Sequence, residues 1–175
     1  MDGPSRLQLG EAFIGEGPNA AHVNTVLGGR DGPVGTAWVT ALATPSQGHA
    51  PFVVVLHPGL PVKPFTLFVN KAAIASERHA TMTWGAAQSG VAAGVAEAVS
   101  QEIVLDVEDV LIAAVWVNPE ADDAEAVFAN NRAATISALA MGQSGRPTAT
   151  DIEDHRADVW NPFFTPRDRP EAMPR

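Results

Sequence analysis

Residues 10–24 read Gly-Glu-Ala-Phe-Ile-Gly-Glu-Gly-Pro-Asn-Ala-Ala-His-Val-Asn, and they decide how the chain begins to fold. The middle of this stretch, residues 15–19, concentrates glycine, proline and asparagine, which are turn formers. Roughly alternating apolar residues lie before it at 7–14 and after it at 23–27. We therefore predict two strands joined by a hairpin-like turn, with a bulge at Gly10.

One histidine, His22, lies between this turn and the second strand. An ordinary imidazole titrates at about pH 6.5, so it can give and take a proton near neutrality. General acid–base catalysis requires that property. A surface or capping imidazole is the commoner role of a lone histidine in a turn, and the position alone does not separate the two.

Composition narrows the class of protein. The 175 residues are 46% hydrophobic and 18% charged, which is typical of one globular domain with a real core. The formal net charge of -9 argues against nucleic-acid binding, which needs clustered lysine and arginine. The absence of cysteine excludes disulfides, thiolate zinc sites and thiol nucleophiles.

Other signals point to an ordinary cytoplasmic protein. The five histidines have no HxH or HExxH spacing, so we expect no metal site. The first residues carry no secretory pattern, and no apolar run approaches the roughly 20 residues of a membrane span. We expect a soluble, cytoplasmic chain.

The rest of the chain predicts further strands and helices. A helix opens at residues 31–33, with Val34, Trp38 and Leu42 as its apolar stripe, and a central strand at 52–56 is covered on both faces. A stiff proline-rich loop at 58–64 and a strand at 66–69 follow, and then a helix at about 78–101 whose small Gly90 and Gly94 allow close packing. The last two elements are a strand at 110–117 and a helix that opens at 122–125 and stops at Gly142.

This order favours an α+β fold, a two-layer sandwich with helices packed on one face of a mixed or antiparallel sheet. A doubly wound fold is the weaker alternative, because residues 28–32 match neither GxGxxG nor a P-loop. We predict one domain at 1–142 and an extended C-terminal tail at 143–175. The tail's aromatic residues, Trp160, Phe163 and Phe164, could dock on this domain or on a neighbouring subunit.

Several separated segments, in the same order, resemble one family. They are Gly10-Glu11-Ala12, Gly15-Glu16-Gly17, Ala21-His22, Gly32-Pro33, Pro61-Val62-Lys63-Pro64, Thr66-Leu67, Asn70-Lys71, Gly85-Ala86-Ala87-Gln88 and Pro119-Glu120-Ala121-Asp122-Asp123. The chain resembles the formaldehyde-activating enzymes of tetrahydromethanopterin-dependent one-carbon metabolism and formaldehyde detoxification.

The resemblance implies a lyase that condenses formaldehyde with tetrahydromethanopterin to the methylene derivative and water. It implies a ribosomal protein S5 domain 2-like fold and a homopentamer with the pterin bound between subunits. The pterin is a co-substrate, and no tightly bound cofactor, metal or redox group is expected. The family's catalytic histidine corresponds to His22. The substrate-binding positions correspond to Asn24, Val53, Lys71, Ala73 and Gln88.

Two of these positions depart from the family pattern. Asn24 replaces an aspartate, which removes a negative charge that would stabilise a protonated imidazole, and Ala73 replaces a threonine, which removes a hydroxyl. These departures favour a divergent paralogue. The alternative function is a non-catalytic protein that binds or senses a pterin or formaldehyde. A purely structural oligomer subunit has no positive support in the sequence.

The other polar and aromatic residues have simpler interpretations. Without the resemblance, Lys71 is a solvated lysine and Gln88 an ordinary polar residue at a helix N-terminus. Asp122 and Asp123 are helix-capping carboxylates. Two sets complete the interpretation: the core tryptophans Trp38 and Trp116, and the loop or surface histidines His49, His57 and His79.

Overall fold

The computed structural model describes residues 7–167. Its strands and helices, in chain order, are β1 (Gln8–Ile14), β2 (Ala21–Gly28), α1 (Pro33–Ala43), β3 (Phe52–Val53), β4 (Val55–His57), β5 (Leu60–Pro61), β6 (Phe65–Asn70), α2 (Glu77–Thr81), α3 (Gln88–Ser100), β7 (Val110–Trp116), α4 (Ala124–Ser144) and α5 (Ala149–His155). A π-helical turn, Met82–Ala87, joins α2 to α3.

Five strands form one mixed sheet in the order β1-β2-β7-β6-β3, and β4 pairs with β5 in a separate two-stranded sheet. The β1–β2, β2–β7 and β6–β3 pairs are antiparallel, and β6 runs parallel to β7. The predicted α+β sandwich with a mixed sheet is confirmed.

Side chains alternate along β2, so one face of the sheet is buried and the other is not. Ala21, Val23, Thr25 and Leu27 are at most 3% exposed, and they point toward the layer formed by α3 and α4. The approach of α4 is close, because a Cβ at Gly10 would lie 1.8 Å from the carbonyl oxygen of Ala138. The register at Gly10 is regular, so the predicted bulge is wrong and the glycine admits α4 instead.

The two long helices touch through small residues, as predicted. A Cβ at Gly90 would lie 2.5 Å from the carbonyl oxygen of Phe128, and one at Gly94 would lie 2.7 Å from that of Arg132. These glycines therefore let the backbones of α3 and α4 come together. Val91 and Val95 beside them are fully buried.

On the opposite face of the sheet, α1 covers only one end. Gly28 and His22 lie on the same face of β2, because alternate residues of a strand point to the same side, and a Cβ at Gly28 would lie 2.8 Å from Cγ2 of Val34. Helix α1 thus begins over the end of β2 that is farthest from His22. The predicted stripe on α1 is wrong at its last position, since Leu42 is 39% exposed.

The predicted central strand at 52–56 is also wrong. Its first two residues form β3 at the sheet edge, and β4 begins at Val55. The backbone N–H of Val54 donates to Thr66 in the five-stranded sheet, whereas its carbonyl accepts from Val62 beside the small hairpin. The fully buried Val54 is therefore the point where the chain leaves one sheet for the other.

The chain divides into two compact units after Ser144. In the second unit, Thr148 and Asp151 form a reciprocal capping box at the start of α5, so this part of the predicted tail is helical rather than extended. The predicted regions 1–142 and 143–175 also include residues 1–6 and 168–175, which lie outside the described residues. No helix within residues 7–167 is long and apolar enough to cross a membrane.

Candidate active site on the open face of the sheet

The end of the sheet that α1 does not cover carries His22. Register places Phe13 of β1 opposite His22 and Trp116 of β7 on its other side. The next residue after β6, Lys71, lies level with Trp116, because Asn70 pairs with Val115 and the Lys71 N–H donates to the Val115 carbonyl at 2.7 Å. Phe13, His22, Trp116 and Lys71 thus form one row across the strands. We call the surface formed by this row and by the next two rows along the strands the open face.

The open face consists of residues that point away from α3 and α4. Its three rows across the strands are Phe13, His22, Trp116 and Lys71, then Glu11, Asn24, Ala114 and Val69, then Leu9, Val26 and Ile112. Trp116 is partly buried here, as is Trp38 on α1, and neither belongs to the hydrophobic core, so the predicted core position of both tryptophans is wrong.

The imidazole of His22 is held by two residues of β1. Its Nε2 lies 3.0 Å from Oε1 of Glu11, which is hydrogen-bonding distance to a carboxylate that can only accept. Its ring lies 6.1 Å from the ring of Phe13, at an angle of 55°. The His22 and Glu11 side chains are 37% and 52% exposed, so the pair is reachable from solvent.

Asn24 lies next to this pair. It is directly opposite Glu11 in the β1–β2 register and on the same face as His22. The carboxylate that faces the imidazole in this chain is therefore supplied by Glu11 on the neighbouring strand. An amide at position 24 carries no charge, and it can donate or accept a hydrogen bond.

The turn before His22 is fixed by Asn19. Its side-chain oxygen accepts from the backbone N–H groups of Asp122 and Asp123, at 3.0 and 3.1 Å, at the start of α4. Its own carbonyl accepts from Asn130 at 2.9 Å. Asp123 in turn caps α4 by accepting from Ala126, which agrees with its predicted capping role. His22 thus follows a turn that is bound to a long helix.

Lys71 and Ala73 lie at the other side of the open face. His22 and Lys71 are separated by one strand, so their Cα atoms are about 10 Å apart. Both Lys71 and Ala73 are exposed. A Cβ on Gly48 would lie 3.1 Å from the Cβ of Ala73, which places the loop before β3 against this segment.

Asn70 holds that loop in place. Its side-chain nitrogen donates to the carbonyls of Gly48 and Ala72, at 2.7 and 2.9 Å, and its own carbonyl accepts from Nδ1 of His49 at 2.9 Å. The loop and the Lys71 segment are therefore one connected structure.

His79 lies below the same segment and is fully buried, so its predicted surface position is wrong. Its Nδ1 accepts from the backbone N–H of Ala75 at 3.1 Å, and its Nε2 donates to the carbonyl of Val117 at 3.0 Å. Each ring nitrogen makes one hydrogen bond, and together the two bonds connect the residues after Lys71 to the end of β7. A buried polar ring with two partners is stabilising rather than reactive.

The two remaining predicted residues, Val53 and Gln88, line a separate cavity of about 390 Å³ at the β3 edge of the sheet. We call this cavity the edge pocket; it is lined by residues 50–53, Val55, Trp84 and Gln88. Gln88 is 8% exposed, and its Oε1 accepts from the backbone N–H of Val55 at 2.7 Å. The edge pocket is thus built from the π-helical turn and the edge strand.

The six predicted site residues therefore form two groups within one chain. His22, Asn24 and Lys71 share the open face, with Ala73 next to Lys71, and Val53 and Gln88 share the edge pocket. Strand β3 is three strand spacings from β2, which is about 15 Å. One copy of the chain does not bring the two groups into a single cavity among residues 7–167.

A larger cavity of about 560 Å³ lies elsewhere, between the start of α1 and the loop before β7. Glu108, which lines it, is paired with Arg30 and with Lys63, and these cations lower the pKa of its carboxyl group, Lys63 most. None of the six predicted site residues lines this cavity. Within residues 7–167, no three His, Asp or Glu side chains are grouped so that they could hold a metal ion.

The structure adds two residues that the sequence did not predict: Glu11, which contacts His22, and Trp84, which lines the edge pocket. The position of Glu11 follows from the hairpin. When Ile14 pairs with Ala21, the strand register places Glu11 diagonally across from His22 on the same face. Trp84 had no such signal, because the π-helical turn that presents it leaves no mark in the apolar periodicity.

Comparisons with known proteins show the family of the chain. Residues 9–164 match the family model described as formaldehyde-activating enzyme (Fae). The chain is 37% identical to the 5,6,7,8-tetrahydromethanopterin hydro-lyase of Methanosarcina barkeri, over 89% of both proteins. It is 42% identical to the bifunctional enzyme Fae/Hps of Methanosphaera stadtmanae and 38% identical to that of Methanosarcina mazei; the two matches cover 83% and 80% of this chain and 36% of each relative. The chain belongs to the formaldehyde-activating enzyme family.

Proposed function

We propose that this chain condenses formaldehyde with tetrahydromethanopterin, or a related reduced pterin, to the 5,10-methylene derivative and water, with His22 as the general acid. The observation that carries the proposal is the His22–Glu11 pair on an exposed sheet face. Family membership and the 37% identity to a tetrahydromethanopterin hydro-lyase support the choice of substrate.

The chemistry needs one proton donor and close positioning. A pterin nitrogen attacks the formaldehyde carbon and forms a carbinolamine, whose hydroxyl group is a poor leaving group until it is protonated. His22 supplies that proton from Nδ1 while Nε2 stays on Glu11. The C–O bond breaks, water leaves, and an iminium ion forms. The second pterin nitrogen closes the ring and returns a proton to His22.

The carboxylate of Glu11 has a defined part in this sequence. When His22 is protonated, the negative charge 3.0 Å from Nε2 stabilises the imidazolium, and Nδ1 is the ring nitrogen that is not bound to Glu11. Lys71, at the other end of the same row, provides a cation for an anionic or carbonyl group of the pterin. Asn24 and Ala73 add a neutral amide and a methyl group.

We further propose that the complete site is composite. His22 on β2 and the edge pocket at β3 are three strand spacings apart in one chain, about 15 Å, so one pterin is held by the His22 end of the open face of one copy and by the edge pocket of another. The resemblance to pentameric enzymes with pterin between subunits agrees with this division. Formaldehyde and the reduced pterin are the small-molecule partners, and a homopentamer is the expected assembly.

A stopped-flow comparison of methylene-pterin formation, with and without protein, tests the proposal. We expect acceleration over the uncatalysed condensation. In the His22→Ala variant, the catalysed rate constant should fall by a factor of about 10²–10⁴, as is usual when a general acid is removed. His155→Ala, an exposed histidine in the second unit, is the matched control and should keep the wild-type rate.

The alternative function, a binding or sensing paralogue, gains its support from the uncharged Asn24 and from Ala73. It predicts calorimetric binding of a reduced pterin with no acceleration by the wild-type protein. Turnover that disappears in His22→Ala excludes this alternative. If the wild-type protein fails to accelerate condensation for every reduced pterin tested, the catalytic proposal is overturned.

A further inference from the structure

Trp116 lies between two side chains of the open face, those of His22 and Lys71. His22 is on β2, Lys71 follows β6, and the strand between β2 and β6 is β7. In the β2–β7 register Trp116 is directly opposite His22, so the Cβ atoms of this pair are about 5 Å apart. On its other side Trp116 is level with Lys71. A molecule that contacts both His22 and Lys71 therefore crosses Trp116.

The contacts of the His22 ring place a reactant on the Trp116 side. Nε2 lies 3.0 Å from Glu11, and the ring of Phe13 lies 6.1 Å away; both residues belong to β1. These two side chains occupy the β1 side of the imidazole. On the other side, the open-face residue of β7 next to Trp116 is Ala114, whose methyl group leaves space beside the indole. A reactant that takes a proton from His22 therefore meets the indole.

The step at His22 moves a positive charge. Before this step the imidazolium carries the charge beside Glu11, and the carbinolamine is neutral. The C–O bond breaks with its electron pair on oxygen, which takes the proton of the imidazolium and leaves as water, while the nitrogen lone pair forms the C=N bond. The imidazole is then neutral and the iminium ion carries the charge. Because His22 lies between them, this new cation is farther from Glu11 than the imidazolium was.

We propose that Trp116 is a further catalytic residue, whose indole face stabilises the iminium ion and the transition state that leads to it by a cation–π interaction. This inference rests on the proposed function and adds a group that acts on the charge after it leaves the imidazole. Tryptophan is the best of the aromatic side chains in this role. Trp116 is partly buried, and such contacts are stronger where water is displaced.

Substitutions at position 116 separate the π face from apolar packing. With protein in excess over tetrahydromethanopterin, stopped-flow kinetics measures the rate constant of methylene-pterin formation and the protein concentration at half-saturation. We expect Trp116→Leu to lower the rate constant about 10-fold and Trp116→Phe about 3-fold, because phenylalanine keeps a weaker π face. Half-saturation should change less than about twofold, since the neutral reactants gain nothing from the interaction. Trp160→Leu, at an exposed tryptophan of the second unit, is the control and should change neither quantity.

Fluorinated tryptophan tests the electrostatic origin of the effect without a change of side chain. Each fluorine on the indole weakens the negative potential of the ring face and keeps the shape of the ring. Biosynthetic labelling replaces all four tryptophans, so the matched control is Trp116→Phe labelled in the same way. We expect the rate constant of the labelled wild type to fall with each added fluorine, about 10-fold over the series, and that of the labelled control to stay constant.

A graded fall in the labelled wild type alone supports the inference, and it decides the question even where Trp116→Leu does not fold. Equal rate constants across the fluorine series overturn the inference, as does an equal fall in the labelled control or a loss that appears only in half-saturation. In those three cases the proposed function stands, because the wild-type protein still accelerates condensation. A wild-type protein that gives no acceleration with any reduced pterin overturns the proposed function and this inference together.

Discussion

At the scale of single residues, the decisive contact is the one between His22 and Glu11. The resemblance implies an aspartate two residues after the histidine, and this chain has an uncharged Asn24 there. The charge is nevertheless present, because β1 supplies the Glu11 carboxylate 3.0 Å from Nε2 of His22. Loss of the aspartate therefore does not leave the imidazole without an anionic neighbour, and acid catalysis remains chemically reasonable.

The Glu11→Gln variant tests that role. The amide keeps the size of the side chain and removes its charge, so the imidazolium that donates the proton loses its stabilising partner. We expect the catalysed rate constant to fall about fivefold, because a partly exposed ion pair contributes about 1 kcal/mol. Nitrogen NMR of labelled His22 should also change, from a ring protonated at Nε2 to a mixture of tautomers.

The rescue experiment uses Asn24, which lies opposite Glu11 on the same face. A double variant, Glu11→Gln with Asn24→Asp, moves the carboxylate from β1 to β2 without adding a charge overall. Recovery of part of the lost rate supports an electrostatic role for Glu11. If Glu11→Gln leaves both the rate and the tautomer unchanged, the pair has no part in catalysis.

At the scale of elements, the sequence predicts the hairpin that carries His22, both long helices and β7. These follow local rules, since turn formers, helical spacing and a capping aspartate are all within a few residues of the element that they define. The break at Val54 does not follow such rules. Its two backbone partners are Thr66 and Val62, and an apolar run of five residues is the same in sequence whether or not the chain changes sheets.

The residues of the candidate site divide in the same way, into those that local sequence rules predict and those that they do not. His22 is identifiable from its place after the turn, and Glu11 would follow from a known register. Only the family resemblance points to Val53 and Gln88, because the pocket that joins them depends on how α3 meets the sheet edge. The prediction for His79 is wrong because its partners, Ala75 and Val117, come from two different segments of the chain.

The contact between α3 and α4 gives a prediction at this scale. A methyl group at Gly94 would lie 2.7 Å from the carbonyl oxygen of Arg132, and backbone cannot move as easily as a flexible side chain. We expect Gly94→Ala to lower the free energy of unfolding by about 1–3 kcal/mol, as overpacking does in cores. Urea denaturation at one fixed protein concentration measures the change.

The control for this prediction is Gly85→Ala, where a Cβ would meet no atom within 4 Å. Alanine there should keep or slightly raise the stability, because it reduces the freedom of the unfolded chain without a clash. Equal effects of the two substitutions would mean that helix propensity, rather than the approach of α4, decides the outcome at Gly94.

At the scale of the whole molecule, the open face has the composition of an interface. Leu9 is 59% exposed at the edge of a row that continues with Val26 and Ile112, and Phe13 and Trp116 lie in the row of His22. An apolar sheet face that carries the proposed acid is suited to meet another copy of the chain, and the edge pocket is suited to complete the site from that copy.

Mixing two inactive variants tests this composite site. His22→Ala disables the open face, and Gln88→Leu disables the edge pocket. In hetero-oligomers refolded from equal amounts of the two, a site that joins the open face of one copy to the pocket of its neighbour is intact in about a quarter of cases, so about a quarter of the wild-type activity should return. A mixture of His22→Ala with Lys71→Ala should stay inactive, because both residues lie on the open face of the same copy. If the first mixture also stays inactive while each variant assembles normally, the two halves of the site belong to one chain and the sheet edge must move to bring them together.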